Sequence, residues 1–153
     1  MLDDDELWLR SFGRALRARG ADVAPFTTPE QALVALADEL RPSVLVIDYV
    51  LGRGWDGARF AEAVRGQRAM RGEEGAGPPL ILLSGTLGQV GAWRRRAFDL
   101  ALSKSTPVAA LVEQVLALAR SGRSADSHAR IVLPEDGAQG PVAVYRPKKQ
   151  TPS

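Results

Sequence analysis

The 153-residue sequence contains no cysteine and a single histidine, His128. Without cysteine there is no disulfide framework and no thiolate zinc site, and one histidine cannot make a zinc site alone. No apolar run approaches the roughly 20 residues that a membrane-spanning helix needs. The acidic start, residues 1–6, is unlike a signal peptide. We therefore expect a cytoplasmic protein with no membrane contact.

The sequence also has little net charge, since its 20 Lys and Arg nearly balance its 18 Asp and Glu. The small basic excess falls in residues 121–153, after a balanced region over residues 1–120. Nucleic-acid binding needs basic residues clustered on one face, and this tail is too short for a helix-turn-helix domain. We expect no direct DNA binding. We interpret residues 121–153 as a flexible tail or a hairpin of residues 131–133 and 142–145.

Short apolar runs alternate with amphipathic segments along residues 1–120. The first amphipathic segment is predicted to place four apolar residues on one face, Leu7, Phe12, Ala15 and Leu16. Strands that alternate with helices favour a parallel sheet with right-handed crossovers, whose active crevice lies at the carboxyl ends of the strands. The patterns predict strands at residues 22–26, 43–47, 80–83 and 98–102, and helices at residues 7–19, 28–39, 58–68, 88–97 and 106–120.

Polar residues follow the predicted strands where each one ends. Asp48, Ser84 and Lys104 occupy three such positions, and the acids of residues 3–5 precede the first helix. Packed carboxylates raise one another's pKa unless a cation intervenes, and Mg²⁺ prefers oxygen ligands. A carboxylate nucleophile, a magnesium ion and a lysine suit phosphoryl transfer. A helix N-terminus stabilised by acidic residues is the alternative interpretation of residues 3–6.

The sequence resembles the receiver domain of two-component response regulators. The resemblance lies in four motifs in this order: an acid pair, Val-Leu-Val-Ile-Asp, Leu-Ile-Leu-Leu-Ser-Gly and a late lysine. The resemblance covers residues 1–120. It implies an α/β fold with a doubly wound, five-stranded parallel sheet of order 2-1-3-4-5, as in flavodoxin-like and chemotaxis-regulator-like proteins. Each motif is weak alone, and the four in sequence order are a strong signal.

The resemblance also implies a role for each polar residue. Asp48 would be the phosphoacceptor, Ser84 the switch hydroxyl and Lys104 the phosphate-binding lysine. The implied Mg²⁺ contacts are Asp3, Asp4 (the more direct ligand of the pair), Asp48 and the backbone carbonyl of Val50.

The resemblance implies a stand-alone receiver that takes its phosphoryl group from a histidine kinase or a phosphotransfer protein. It would signal through contacts with a downstream protein target. Such a domain is not an enzyme beyond slow autophosphorylation and autodephosphorylation.

Several positions depart from the family pattern. Only Met1 and Leu2 precede the acid pair, where the family has a full strand, so we expect a truncated first strand or a true start upstream. Ala101 replaces a frequent aromatic residue, Ser105 replaces a frequent proline, and the loop after Asp48 lacks its usual proline. Because of these departures, a degenerate receiver-like binding module that is not phosphorylated is an alternative interpretation of the sequence. A phosphohydrolase with an aspartyl-phosphate intermediate is a more distant alternative.

Overall fold

The computed structural model describes residues 1–38, 40–73, 75 and 77–121. The tail interpretation for residues 121–153, with its hairpin of residues 131–133 and 142–145, lies outside the described residues apart from Ser121. No helix in the described part of the chain is long and apolar enough to cross a membrane. The elements are α1 (Glu6–Arg17), α2 (Pro29–Ala37), β1 (Leu45–Asp48), α3 (Gly57–Met70), β2 (Leu80–Ser84), α4 (Ala92–Arg95), β3 (Leu100–Ser103) and α5 (Val108–Ser121), with a 3₁₀ turn at Leu87–Gln89.

The three strands form a parallel sheet in the order β1-β2-β3. Each residue of β1 and β2 is buried, as expected for unbroken apolar runs covered by helices on both faces. In the register, Asp48 lies opposite Leu83, and Ser84 lies opposite Ser103. The predicted α/β class with a parallel sheet is confirmed.

Two further sheet positions are present only as single bridges. Leu2 forms parallel bridges with both Phe26 and Ile47, so it lies between the residue 26 segment and β1. The resulting order agrees with 2-1-3-4-5, although only three positions are full strands among the described residues. The prediction of a strand at residues 22–26 was wrong for residues 22–25, and only Phe26 takes part in a bridge, to Leu2.

The helices begin at residues whose side chains cap them. Thr28 and Asp56 accept hydrogen bonds from the backbone N–H groups of Gln31 and Arg59, at the starts of α2 and α3. Such caps satisfy donors that have no partner inside a helix. These caps fix where each crossover leaves the sheet.

Two hydrophobic clusters lie on opposite faces of the sheet. Helices α2 and α3 cover one face, where Phe60 packs near Ile47 and Leu82. Helices α1 and α5 cover the other, with Phe12 and Leu111 in the same cluster.

Two sequence-based details differ from the structure. Leu7 is 75% exposed, and Leu9 takes its place in the buried face of α1. The helix predicted at residues 88–97 is a 3₁₀ turn followed by the four-residue α4.

Candidate functional site

The carboxyl edge of the sheet brings the polar strand-end residues together. Asp48 is the last residue of β1 and Ser84 the last residue of β2, while Lys104 follows β3 directly. Asp3 follows Leu2, whose backbone is hydrogen-bonded to Val46 and Asp48. Parallel strands end at one edge, so four separate stretches of sequence supply one site.

Three carboxylates converge at this edge. Asp3, Asp4 and Asp48 each offer an oxygen, and these oxygens all lie within 4.8 Å of one another. Asp3 and Asp48 are buried, whereas Asp4 is exposed. The group is therefore anchored in the protein on one side and open to solvent on the other.

Asp5 has a different task from the two acids before it. Its carboxylate accepts hydrogen bonds from the backbone N–H groups of Leu7 and Trp8, both at 3.0 Å, and so caps α1. Asp3 in turn accepts from the backbone N–H of Asp5 at 2.9 Å. The alternative interpretation of the acidic start, a stabilised helix N-terminus, therefore applies to Asp5.

Lys104 is the cation that faces these acids. Its Nζ lies 2.6 Å from Oδ2 of Asp3 and 3.2 Å from Oδ1 of Asp48. Because one ammonium faces three carboxylates, the cluster keeps an excess of negative charge.

Burial and charge shift the pKa values of these groups. Burial raises the pKa of Asp48 to about 6 and the charge of Asp3 adds to this effect, while Lys104 opposes it. Burial also raises the pKa of Asp3, against its hydrogen bond to Lys104. Burial alone would lower the pKa of Lys104, but its hydrogen bond to Asp3 and the charge of Asp48 outweigh that effect and raise it. Perturbed carboxylates that gather at a sheet edge are typical of a functional site.

The oxygen donors fit a divalent cation of the magnesium type. Such a cation takes carboxylate oxygens and keeps several waters, which the exposed side of Asp4 leaves room for. Neutralising the excess negative charge would also relieve the repulsion between Asp3 and Asp48 that contributes to the raised pKa of Asp48.

Ser84 and Val50 flank the acids. Ser84 is buried, its hydroxyl oxygen accepts from the backbone N–H of Thr86 at 3.1 Å, and its carbonyl accepts from the backbone N–H of Lys104 at 2.9 Å. This last bond ties the lysine to β2. Val50 is exposed and forms an antiparallel bridge with Asp56, which holds the backbone just after Asp48.

Sequence reasoning missed Trp8, which lies beside Lys104. Its ring centroid lies 5.4 Å from Lys104 Nζ and is stacked on Phe12 at 5.5 Å. The ring limits where the ammonium can go and offers it a cation–π contact. The signal available in the sequence was that Trp8 lies in the first turn of α1, three residues after the Asp5 cap and four after Asp4.

A second missed group joins α4 to the loop after β1. The Arg94 guanidinium donates to the Tyr49 hydroxyl and pairs with the Asp56 carboxylate. Tyr49 directly follows Asp48, so this contact links the site to α4. Of the two arginines that follow Arg94, Arg95 donates from its Nε to the Val90 carbonyl, and Arg96 is exposed.

Solved structures share this fold, although no protein-family model and no curated protein sequence matches the chain. The N-terminal domain of a response regulator/sensory box/GGDEF protein from Carboxydothermus hydrogenoformans is 19% identical, with a TM-score of 0.68 over 80% of this chain and 94% of that one. A receiver domain protein (CheY-like) from Methanospirillum hungatei is 18% identical, with a TM-score of 0.65 over 80% and 93%.

A third similar structure was solved with ligands. Response regulator protein TrrA from Thermotoga maritima, in complex with Mg²⁺-BeF, is 20% identical with a TM-score of 0.64, over 76% of this chain and 94% of that one. In each of these pairs nearly the whole of the known chain is matched. The described part of this chain has the fold of response regulator receiver domains.

Proposed function

We propose that this chain is a response regulator receiver that accepts a phosphoryl group on Asp48. The observation that carries the proposal is that Lys104 and the Asp3–Asp4 pair meet Asp48 at the carboxyl edge of the sheet. Ligands bind at this edge in open α/β sheets. The likeness to TrrA, solved in complex with Mg²⁺-BeF, supports magnesium as the cofactor.

In the proposed reaction, an ionised oxygen of Asp48 attacks the phosphorus of a phosphorylated donor and forms a new O–P bond. The bond between phosphorus and the donor's leaving atom breaks, and that atom keeps the electron pair. With a pKa of about 6, Asp48 is ionised in most molecules at neutral pH. The nucleophile is therefore available without a separate general base.

The neighbouring residues have distinct proposed roles. Asp3, Asp4, Asp48 and the carbonyl of Val50 would hold Mg²⁺, which supplies positive charge beside the transferred oxygens. Lys104 would exchange its contact with Asp48 for one with a phosphoryl oxygen. Ser84 would donate a hydrogen bond to the acyl phosphate from the end of the adjacent strand.

We propose a histidine kinase or a phosphotransfer protein as the donor, and a downstream protein as the target. The Arg94 contacts with Tyr49 and Asp56 give a direct route from the acceptor to α4. This route does not need an aromatic side chain at Ala101. A cytoplasmic receiver that acts alone through protein contacts, without DNA binding, is the form we propose.

The decisive experiment incubates the purified protein with Mg²⁺ and acetyl phosphate or phosphoramidate and follows the intact mass. One phosphoryl group adds about 80 Da. Asp48→Asn should take up no phosphoryl group. Asp22→Asn, which changes an exposed aspartate to the same residue type, should be phosphorylated like the unchanged protein.

Two outcomes would replace the proposal. A folded protein that gains no mass with any donor would favour a receiver-like binding module that is not phosphorylated. Rapid, continuous turnover of an organic phosphate would favour a phosphohydrolase that passes through an aspartyl phosphate.

A further inference from the structure

The ammonium of Lys104 has three side-chain partners among the described residues, and they differ in chemistry. Asp3 and Asp48 are carboxylates, 2.6 and 3.2 Å from its Nζ. The third partner is the indole ring of Trp8, whose centroid lies 5.4 Å from the same atom. The lysine backbone is held by the Ser84 carbonyl, which accepts from its N–H at 2.9 Å. The three side chains therefore decide where the end of the flexible lysine stem lies.

The two carboxylates change during the proposed phosphoryl transfer, whereas the indole ring does not. Asp48 becomes an acyl phosphate, and one of its oxygens is then bonded to phosphorus. Asp3 is one of the oxygen donors of the proposed Mg²⁺ site, so its carboxylate is shared with the ion. Trp8 takes no part in either event. Its ring is the partner that the ammonium keeps before, during and after the transfer.

The ring of Trp8 is itself held in place by α1 and the core. The backbone N–H of Trp8 donates to the Asp5 carboxylate at 3.0 Å, which fixes it in the first turn of the helix. The ring is stacked on Phe12, with centroids 5.5 Å apart and an angle of 19° between the planes. Phe12 is fully buried. Because the ring cannot follow the ammonium, it restricts where the ammonium can go.

Packing alone does not account for a tryptophan at this position. Its indole N–H is buried and has no hydrogen-bond partner among the residues that the structure describes. A buried donor without a partner lowers stability, whereas leucine or phenylalanine would fill much of the same space without one. Tryptophan is also the side chain whose face attracts a cation most strongly, and the Lys104 ammonium lies within the range of that attraction. The contact with the ammonium therefore explains the choice of residue better than packing does.

We propose that Trp8 is a positioning residue, which keeps the Lys104 ammonium at the site while it exchanges the Asp48 carboxylate for a phosphoryl oxygen. This inference rests on the proposed function of Asp48 as the phosphoacceptor. The indole face attracts the ammonium without neutralising its charge, so the lysine keeps donors for the phosphoryl group. Without the ring, the flexible stem would hold the ammonium beside the phosphoryl group in fewer molecules, and the transfer would slow.

The first test compares two substitutions at Trp8 by the rate of mass gain with Mg²⁺ and acetyl phosphate. Trp8→Leu removes the aromatic face and should slow phosphorylation by about threefold to tenfold, which is the scale of a cation–π contact. Trp8→Phe keeps an aromatic face and should restore most of the rate.

Trp93→Leu is the matched control for Trp8→Leu. It makes the same change at an exposed tryptophan, whose ring centroid lies 4.8 Å from the Arg94 guanidinium carbon. A cation–π contact is therefore lost in both variants, but only the contact of Trp8 involves the lysine of the acid cluster. Trp93→Leu should leave the rate of phosphorylation within about twofold of the unchanged protein.

Fluorine NMR of protein labelled with 5-fluorotryptophan gives a second readout, which also serves if Trp8→Leu does not fold. The Trp8 signal is identified by its absence from Trp8→Phe. Lys104→Met should shift this signal because it removes the cation beside the ring, whereas Arg10→Met removes an exposed cation of the same helix and should shift it less. Phosphorylation should also shift it less than Lys104→Met does, since the ammonium stays beside the ring.

Two results would overturn the inference and leave the proposed function standing. One is a rate for Trp8→Leu equal to that of the unchanged protein, or a rate for Trp8→Phe as low as that of Trp8→Leu. The other is a Trp8 fluorine signal that phosphorylation shifts as far as Lys104→Met does. An unchanged protein that gains no mass would instead remove the proposed function, and the inference with it.

Discussion

The ammonium of Lys104 lies 2.6 Å from a carboxylate oxygen of Asp3, in a site where the nearest alternative acceptor, Asp48, is 3.2 Å away. The side chain of Asp3 is almost fully buried, and that of Lys104 is 19% exposed. One cation therefore compensates two buried acids. Removal of that cation and removal of an acid should each have a different consequence.

Lys104→Met should lower the free energy of unfolding by about 1–3 kcal/mol at pH 7, because it leaves two buried carboxylates without their cation. The range is set below that of a fully buried pair, since Lys104 is partly exposed. Urea unfolding measures the change. Added Mg²⁺ should stabilise this variant more than the unchanged protein, since the ion then meets uncompensated acids.

The control for Lys104 is Arg10→Met, which removes an exposed cation paired with Glu6 on α1. Such pairs contribute little, so we expect a change within about 0.5 kcal/mol. Equal losses in both variants would show that Lys104 does not act through the buried acids.

Asp48→Asn should stabilise the metal-free protein at pH 7 by about 1–3 kcal/mol, which is the scale of the shift in the Asp48 pKa. That pKa is raised from 3.8 to about 6, so the folded state binds the proton more tightly than the unfolded chain does. Stability from this group is thus fully present below pH 3.8 and is lost as the pH rises through about 6. The advantage of the variant should shrink towards zero near pH 4.

Thermal or urea unfolding of both proteins between pH 4 and 8 measures this dependence. Asp22→Asn, the same change at an exposed aspartate, is the control, and we expect its effect at pH 7 to be small. A difference between Asp48→Asn and the unchanged protein that is constant with pH, or of the opposite sign at pH 7, would contradict the assignment.

Much of this site follows from one rule, because polar residues that end parallel strands meet at one edge. Asp48, Ser84 and Lys104 could be placed in this way from the sequence, since each follows an apolar run. The contacts of Trp8 and Arg94 could not, because they depend on how α1 and α4 pack against the sheet. Periodicity predicted Leu7 as the buried residue, whereas Leu9 is buried in the structure. Which face of α1 is buried depends on how the helix packs against the sheet, and this tertiary contact cannot be inferred from periodicity alone.

Asp4→Asn should weaken Mg²⁺ binding by about tenfold or more, because it removes the charge of one of three converging oxygen ligands. Asp4 is exposed, so the stability of the metal-free protein should change by less than about 0.5 kcal/mol. Titration with Mg²⁺, followed by calorimetry or by the rise in melting temperature, measures the affinity.

Glu6→Gln is the matched control for Asp4. It removes one negative charge from an exposed residue two positions away, whose carboxylate pairs with Arg10 and lies outside the acid cluster. It should leave Mg²⁺ affinity nearly unchanged. If both variants weaken Mg²⁺ binding equally, the effect is one of overall charge and Asp4 is not a ligand.

Gly57→Ala should destabilise the protein by about 1–3 kcal/mol, the cost of forcing extra volume into a packed site. A Cβ at Gly57 would lie 2.6 Å from the Asp48 carbonyl oxygen and 3.3 Å from the Tyr49 Cα. Both atoms are backbone, so the end of β1 must move, and phosphoryl uptake by Asp48 should slow as well.

Gly66→Ala, in the same helix α3, meets nothing within 4 Å and should stabilise by about 0.5–1 kcal/mol. Urea unfolding and the rate of mass gain with acetyl phosphate test both variants. A loss of stability and of phosphorylation rate in Gly57→Ala, with neither loss in Gly66→Ala, would tie the close approach of α3 to the geometry of Asp48. A Gly57→Ala protein as stable and as readily phosphorylated as the unchanged one would show that this approach does not position the acceptor.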